Sequence, residues 1–477
     1  MAVEPRDSPS VGVDEWVARS LERREYLPGW RGDVQRALEQ VGWWPRLVVA
    51  TAVGVFIPVV IGLNSFQTQV GIDALLLAIL ALGLNVSVGW AGLLDLGYVA
   101  FYGFGAYGYA LLSSNQLNPP GGIHWPAYFS IPLVMIGAAI LGLLVGLPSR
   151  RLIGDYLAIV TLFFGEAFVE FTNNVAPSKL GGPNGIFALD PLHGAHVQIT
   201  TPTGYFLVLL GLLVVSMAVL HMLDTSRMGR AWRAVREDPL AASAMTVPVN
   251  RVKLMAFAFG AMIAAMAGTI FAAQQTSVFP TDFDTPYLIL IYAGLILGGA
   301  GSMSGAVLGG LLVSIVLDGF LRSPTQSSYI FYGVILVTLC VKLRPWTRVA
   351  FVVGGTIVFG FVMHAIVAAF SSSAVAGTSG AHSWIDLHWA IVPANPVTFG
   401  NICFVALLCL VVALVQVPGR WRTMLLIPTL YVAACAWEAR LSQVPATTRL
   451  LLLGAILIVV MAWRPSGLLG ARRVEIV

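Results

Sequence analysis

From Leu47 onward, long apolar runs dominate the chain and polar residues gather in the short breaks between them. The runs predict membrane spans at about 47–63, 68–88, 96–113, 131–147, 156–172, 205–223, 252–273, 287–299, 304–320, 329–341, 349–371, 397–417, 424–440 and 447–463. A full crossing needs roughly 20 residues. Several runs are shorter, and those near 287–320 and 329–341 read as broken or re-entrant helices. The predicted fold class is all-α, a polytopic membrane protein with about 10 core helices and about 4 extra ones.

Residues 1–46 follow another pattern. Between Asp14 and Glu39 both signs of charge interleave, at Glu15, Arg19, Glu22, Arg23, Arg24, Arg31 and Arg36. This predicts one or two cytoplasmic amphipathic helices, with Trp16, Leu21 and Tyr26 available to a membrane surface. No secretory leader is expected, because acids are interleaved and no short apolar core with a cleavage site follows.

Composition agrees with the membrane reading. Of 477 residues, 57% are hydrophobic and only 10% charged, against roughly 25% charged in soluble domains. The apolar content excludes a disordered regulator, and 4 Cys exclude a secreted disulfide scaffold. Cys340, Cys403, Cys409 and Cys435 all lie in apolar runs and read as small buried hydrophobes. With 49 Gly, close helix packing in lipid is expected.

The net charge of +4 gives no ground for a nucleic-acid partner. Basic residues instead mark alternate loops: Arg150 and Arg151; Arg227, Arg230, Arg233, Arg236, Arg251 and Lys253; Lys342, Arg344 and Arg348; Arg420 and Arg422; Arg464, Arg472 and Arg473. The other loops hold only Lys179, Arg322, Arg440 and Arg449. The positive-inside rule then puts both termini in the cytoplasm.

Catalytic motifs are missing. A phosphate-binding loop needs Lys followed by Ser or Thr, and Leu follows each of Lys179, Lys253 and Lys342. There is no His-Glu-x-x-His and no Gly-x-Ser-x-Gly. His382 and His388 lack a third ligand at metal spacing and read as a solvated loop. The chain is read as neither an enzyme nor a cofactor or metal binder.

Polar groups inside apolar spans are costly. Asp73, Asp95, Glu166, Glu170 and Asp318 are the acidic cases. Asn85 and Glu166 are the candidates for lining a solute path, set against a purely structural role in holding helices together. Glycines at 83–108 and 298–310 fit either close packing or broken helices around a midplane passage.

The loop 224–251 is the longest basic one. Within it Asp238 reads as an N-cap and Pro239 as the first helical residue. Pro248 disfavours αR at Val247. The prediction is a helix over 239–247, too short to stand alone in water. It must dock, with Ala241 and Ala242 allowing close approach and Met245 filling a groove. Arg233 and Arg236 flank it, with Glu237 just before the cap.

At these residues the sequence resembles the LivM-type permeases of ABC importers for branched-chain amino acids. GLNVSVGWAGLLDLGYVAFYGFGAY at 83–107 resembles the first conserved region. YLAIVTLFFGE at 156–166 and GGPNGI at 181–186 resemble the middle. RMGRAWRAVREDPLAASAM at 227–245 resembles the cytoplasmic coupling segment, and LGGAGSMSGAVLGG at 297–310 the late Gly-rich region. Together they cover about 47–341.

The resemblance implies a permease subunit in the bacterial inner membrane, carrying branched-chain amino acids or related solutes such as urea and short amides. It implies a LivH-like second permease, two LivG- and LivF-like ATPase subunits that bind the ATP, and an extracytoplasmic solute-binding protein. Asp238, Ala241, Ala242 and Met245 would then belong to a coupling helix on an ATPase. The family motif places Gly where Thr246 stands. An ion-coupled secondary transporter is the competing expectation.

The family's Arg-Pro ending occurs twice, as LRPW at 343–346 and as WRPSGLLG at 463–470. The expected organisation is therefore a cytoplasmic segment 1–46, a permease core 47–343, extra helices 344–446, and a last helix and cytoplasmic tail 447–477.

Overall fold

The computed structural model describes residues 43–320, apart from short stretches around 57–63, 118–121, 151–154 and 195–197. It further describes parts of 331–370 and 388–441, and scattered positions up to 469. The amphipathic helices expected before residue 43 lie outside the described residues, as do His382 and Asp386. Residues 1–62 and 63–477 form two units. In the first, α1 (Trp43–Phe56) is mostly exposed along its length.

In the second unit α2 (Ser65–Leu84) runs through the middle, and its residues from Ala74 to Leu84 are all buried. The Gln67 side chain accepts a 3.2 Å bond from the Asn64 N–H and so fixes the start of α2. At Asn85 the α-helix widens into a π-helical stretch, Asn85–Trp90. Around α2 stand α3 (Tyr98–Leu112), α4 (Ala127–Gly146), α5 (Asp155–Asn174) and α6 (Pro202–Thr225). Two short helices follow, α7 (Arg227–Glu237) and α8 (Pro239–Ala244). The core is completed by α9 (Val249–Gln275), α10 (Thr285–Gly298) and α11 (Met303–Ser314), with a second π-helical stretch at Ile315–Phe320.

Large apolar side chains on α4, including Phe129, Ile136, Ile140 and Leu144, are more than half exposed. A surface of this kind is suited to lipid. Inside, small residues let backbones meet. A Cβ on Gly268 of α9 would lie 2.8 Å from the Ala106 backbone nitrogen of α3, so only Gly allows this crossing.

Seven helices among the described residues are long and apolar enough to cross a membrane: 65–90, 127–146, 156–174, 202–225, 249–275, 346–370 and 397–414. The runs at 287–299 and 304–320, read as broken segments, form short helices, and the run at 96–113 is also a short helix, Tyr98–Leu112. Glycine turns cut them: Gly92 has φ 68°, Gly299 113° and Gly301 96°. The run at 329–341 shows a helical stretch at 331–340, and 447–463 is described only at isolated positions.

Among the described residues, three two-residue strand pairs lie in the interhelical loops. β1 (Ser113–Ser114) pairs with β2 (Ile123–His124), β3 (Ile186–Phe187) with β6 (Ser277–Val278), and β4 (Leu192–His193) with β5 (Gln198–Ile199), all antiparallel. They tie the loops at the end of the bundle opposite α7 and α8.

Beyond the core stand α12 (Trp346–Phe370), α13 (Pro396–Gln416) and α14 (Arg420–Ala436). They form clusters of their own, one joining Ile391, Cys403, Tyr431 and Cys435, another joining Val349 and Val352 to Leu339. Leu457, in contrast, packs against the main core. The tail does so too: the Leu468 N–H donates to the Leu297 carbonyl at 2.9 Å and the Leu469 N–H to the Gly298 carbonyl at 3.0 Å. These are the last carbonyls of α10, which have no partner inside their own helix.

Candidate functional site

At the basic end, Asp238 caps α8. Its Oδ1 accepts from the N–H groups of Leu240 at 2.8 Å and Ala241 at 3.2 Å. The cap is where the sequence placed it, but the helix is shorter than the expected 239–247. It ends at Ala244 because the chain closes on itself. The Thr246 N–H donates to the Ser243 carbonyl and the Val247 N–H to the Ala242 carbonyl, both at 3.1 Å. That closure needs a left-handed residue, and Thr246 supplies it at φ 64°. The position at which the family motif has Gly is thus held by a strained β-branched residue. Pro248 does not stop α8; it precedes α9, which begins at Val249.

The two faces of α8 differ. Ala242 is buried within the chain. Ala241 is exposed. Leu240 is 80% and Met245 78% exposed, which is unusual for large apolar side chains on a polar face. Glu237 and Asp238 are exposed as well. Leu240 was not singled out by sequence reasoning. Its signal was available, as the one large apolar residue in the first turn after the cap.

The flanking arginines part company. Arg233 forms an ion pair with Asp224 at 2.5 Å on the basic surface. Arg236 turns inward, and its guanidinium donates to the Gly89 backbone carbonyl. Of the two arginines that flank α8 in the chain, Arg233 is exposed and Arg236 is half-buried. Trp232, one turn earlier on α7, is fully buried and donates from Nε1 to the Val252 carbonyl at 2.9 Å. Its ring stacks on Trp90 with centroids 5.9 Å apart. Aromatic stacking and a charge-assisted bond therefore fasten α7 to the helix break.

The break itself is held by Asn85. Its Oδ1 accepts from the Gly301 N–H at 2.7 Å, while its Nδ2 has no partner among the described residues. Trp90 Nε1 donates to the Gly301 carbonyl at 3.3 Å. Asn85 is completely buried, so its side chain braces two interrupted helices rather than facing an open channel. A Cβ on Gly89 would stand 2.7 Å from the Gly301 nitrogen, which excludes any larger residue at this junction.

Glu166 sits near the other end. It is exposed and accepts a hydrogen bond from the Thr285 hydroxyl at the start of α10. Beside it opens a cleft of about 570 Å³, walled by Tyr102 of α3, Phe271 of α9, and Tyr287 and Leu290 of α10. Asp282 and Asp284, from the loop before α10, also line it. Burial raises the Asp282 carboxyl above the usual carboxylate range. Burial also raises Asp284, and the neighbouring Glu166 adds to the effect. These two acids escaped sequence reasoning because they lie just outside the apolar runs in which acids were sought. The clustering of Asp282, Phe283 and Asp284 against a short helix is the signal that was available.

Of the other acids noted in the sequence, Asp95 is buried and accepts from the Gly97 N–H at 3.1 Å. Asp73 accepts from Gln69 at 3.1 Å. Glu170 binds Asn174 at 2.6 Å. Each braces local backbone or a neighbour one turn away.

Comparison with known proteins places these features in a family context. A family model described as "Branched-chain amino acid transport system / permease component" matches residues 68–340. The high-affinity branched-chain amino acid transport system permease protein LivM of Escherichia coli is 37% identical over 298 residues, covering 57% of this chain and 68% of that protein. The probable LivM of Methanocaldococcus jannaschii is 28% identical over 275 residues, 52% of this chain and 77% of its own length. The LivH permease protein of Salmonella typhimurium is 24% identical over 283 residues, 55% and 88% respectively. No solved structure matches the chain at a significant level.

Proposed function

Because the chain belongs to the branched-chain amino acid transport permease family, we propose that it is a LivM-type permease subunit of an ABC importer, moving branched-chain amino acids inward at the cost of ATP hydrolysed by partner subunits. Its relatives are permease subunits and not enzymes. The similarity to both LivM and LivH proteins supports pairing with a LivH-like second permease. Two ATPase subunits and an extracytoplasmic solute-binding protein complete the proposed assembly. The bundle lies in the bacterial inner membrane with its basic end and both termini in the cytoplasm.

One observation carries the reading: α7 is latched to the helix break through Trp232 on Trp90 and Arg236 on Gly89. An ATPase that grips α8 would move α7, and α7 would move the junction of Asn85, Trp90 and Gly301. Leu240, Ala241 and Met245 form the gripping face. Ala242 anchors α8 to its own chain, with Glu237 and Asp238 setting the start. Asn85 and Glu166 belong to the proposed solute route as its inner brace and outer rim. α12, α13 and α14 pack against one another and against residues 331–343 rather than into the main cluster, which supports their reading as an addition at the edge of the core.

The test is reconstitution. Co-expressed with its neighbouring permease, ATPase and binding-protein genes, the chain should co-purify as one complex. In liposomes that complex should import leucine only with ATP inside. A lone chain that carries solute without ATP would overturn the proposal and support ion-coupled transport.

A further inference from the structure

We propose that the cleft beside Glu166 is a binding site for the α-ammonium group and side chain of an amino acid, with Asp282 and Asp284 as the ammonium partners and Tyr102, Phe271, Tyr287 and Leu290 as the walls. The proposal rests on the amino acid importer reading and names where, on this chain, the solute is first recognised.

Four observations carry it. The first is size: about 570 Å³ falls within the roughly 300–1,000 Å³ of small-molecule sites. The second is an orphan. Tyr102 lines the cleft and is 1% exposed, and its hydroxyl has no hydrogen-bond partner of normal geometry among the described residues although the Tyr287 hydroxyl is close. A buried hydroxyl left unpaired costs free energy, so a ligand group that completes it is favoured. The third is charge. Asp282 and Asp284 line the cleft without a basic residue among the lining side chains. Asp282 spends one oxygen, Oδ2, on the Phe279 N–H at 3.1 Å. Its other oxygen faces no such bond. Two carboxylates in a partly dry site repel each other, and an ammonium group placed between them relieves that repulsion.

The fourth is the walls. Tyr102 and Tyr287 stack with ring centroids 5.5 Å apart, and Phe271 meets Tyr102 at 5.4 Å. The stacked pair, with Phe271 and Leu290, gives an apolar wall for a branched aliphatic side chain. Gln275 and Thr281, also on the lining, offer neutral donors for the carboxylate of the same ligand. An ammonium group carried on a docked protein would meet the same acids; the free amino acid is favoured because the walls enclose an apolar side chain beside them.

The experiment uses the reconstituted complex with all its subunits. Leucine uptake and leucine-stimulated ATPase activity are measured for wild type, Asp282→Asn, Asp284→Asn and Tyr102→Phe. Isopentylamine and 4-methylpentanoate serve as competitors that keep only one of the two charged groups. Loss of a charge-assisted bond predicts a KM for leucine raised roughly ten- to hundredfold in the Asp variants. Tyr102→Phe keeps the ring packing and should raise KM by less. Isopentylamine should compete and 4-methylpentanoate should not. Normal KM in both Asp variants, or competition by 4-methylpentanoate alone, overturns the site. So does competition by neither compound, if binding of the solute-binding protein weakens in the Asp variants instead. Failure of the wild type to import any amino acid would overturn the importer reading, a separate outcome. Assembly of each variant, checked by co-purification, keeps a folding defect from imitating the result.

Discussion

The Asn85 side-chain oxygen accepts the Gly301 backbone N–H at 2.7 Å, joining residues 216 positions apart in the chain. One is the first residue of a π-helical widening, the other the tip of a glycine turn at φ 96°. Two interruptions meet there and share one hydrogen bond. Arg236 donates to the Gly89 carbonyl and Trp90 to the Gly301 carbonyl, so α7 is bonded to the same junction.

Arg236→Met should uncouple the complex. Methionine keeps an unbranched stem beside Gly92 and Gly301 but cannot donate to the Gly89 carbonyl. Charge-assisted hydrogen bonds contribute about 1.5–3 kcal/mol. Uptake should fall at least about tenfold while unstimulated ATPase activity persists. Stimulated ATPase assays on proteoliposomes provide the check, and a variant with wild-type stimulation would separate the latch from coupling.

The two faces of α8 should respond differently to one kind of change. Leu240→Glu and Ala241→Glu place a charge on the exposed face and should abolish solute-stimulated ATPase activity with membrane insertion intact. Ala242→Glu buries an unpaired charge inside the chain itself, at a cost of about several kcal/mol. That variant should fail earlier, as reduced folded yield. Yield by fluorescence-detected gel filtration, beside ATPase activity, distinguishes the two.

Thr246→Gly should stabilise the protein. A β-branched residue at φ 64° is strained, and the left-handed region costs about 1–2 kcal/mol for a residue with a Cβ. Glycine returns about 0.5–1 kcal/mol of that through its freer unfolded state. A net gain of up to about 1.5 kcal/mol is expected. It should read as a higher Tm in detergent, with coupling preserved.

The tail should matter more than the extra helices. Joining Leu343 to Trp463 removes α12, α13 and α14, together with the one core contact of Leu457, yet retains Leu468 and Leu469 on the end of α10. That deletion should assemble and transport. Truncation before Ser466 leaves the Leu297 and Gly298 carbonyls without these donors and should lower stability by about 1 kcal/mol for each lost bond. Thermal melts of both complexes, with uptake, decide it.

Uptake should weaken as the outside turns mildly acidic. Asp282 and Asp284 both have carboxyls raised above their unfolded values. Falling pH therefore protonates them earlier than ordinary carboxylates, and an ammonium ligand loses its partners. Folding itself moves the other way: the protonated form is favoured in the folded chain, so these groups add stability as pH falls through their raised values. The charges that face them are Glu166 from α5, with Asp73 and Asp318 acting on the neighbouring tyrosines. The KM for leucine measured across outside pH should rise on the acid side, and Asp282→Asn should flatten that rise.

The sequence by itself determined the solvent, the helical class and the points at which helices begin. Apolar runs with few charges leave only lipid as their surroundings, and side-chain caps such as Asp238 act on backbone groups two or three residues away. Such effects are local and therefore legible. The five quoted motifs also carried the family. Tertiary structure decided what local rules cannot reach. Whether Arg236 faces out or in depends on a carbonyl 147 positions earlier in the chain. The length of α8 depends on a closure that places a threonine where local propensity would ask for glycine. The outer cleft exists only because α3, α9 and α10 bring Tyr102, Phe271 and Tyr287 together over acids that look, in the sequence, like part of an ordinary loop. The physical reason is common to all three: a hydrogen bond or a cavity between distant segments is set by packing, and packing depends on the whole bundle rather than on neighbours along the chain.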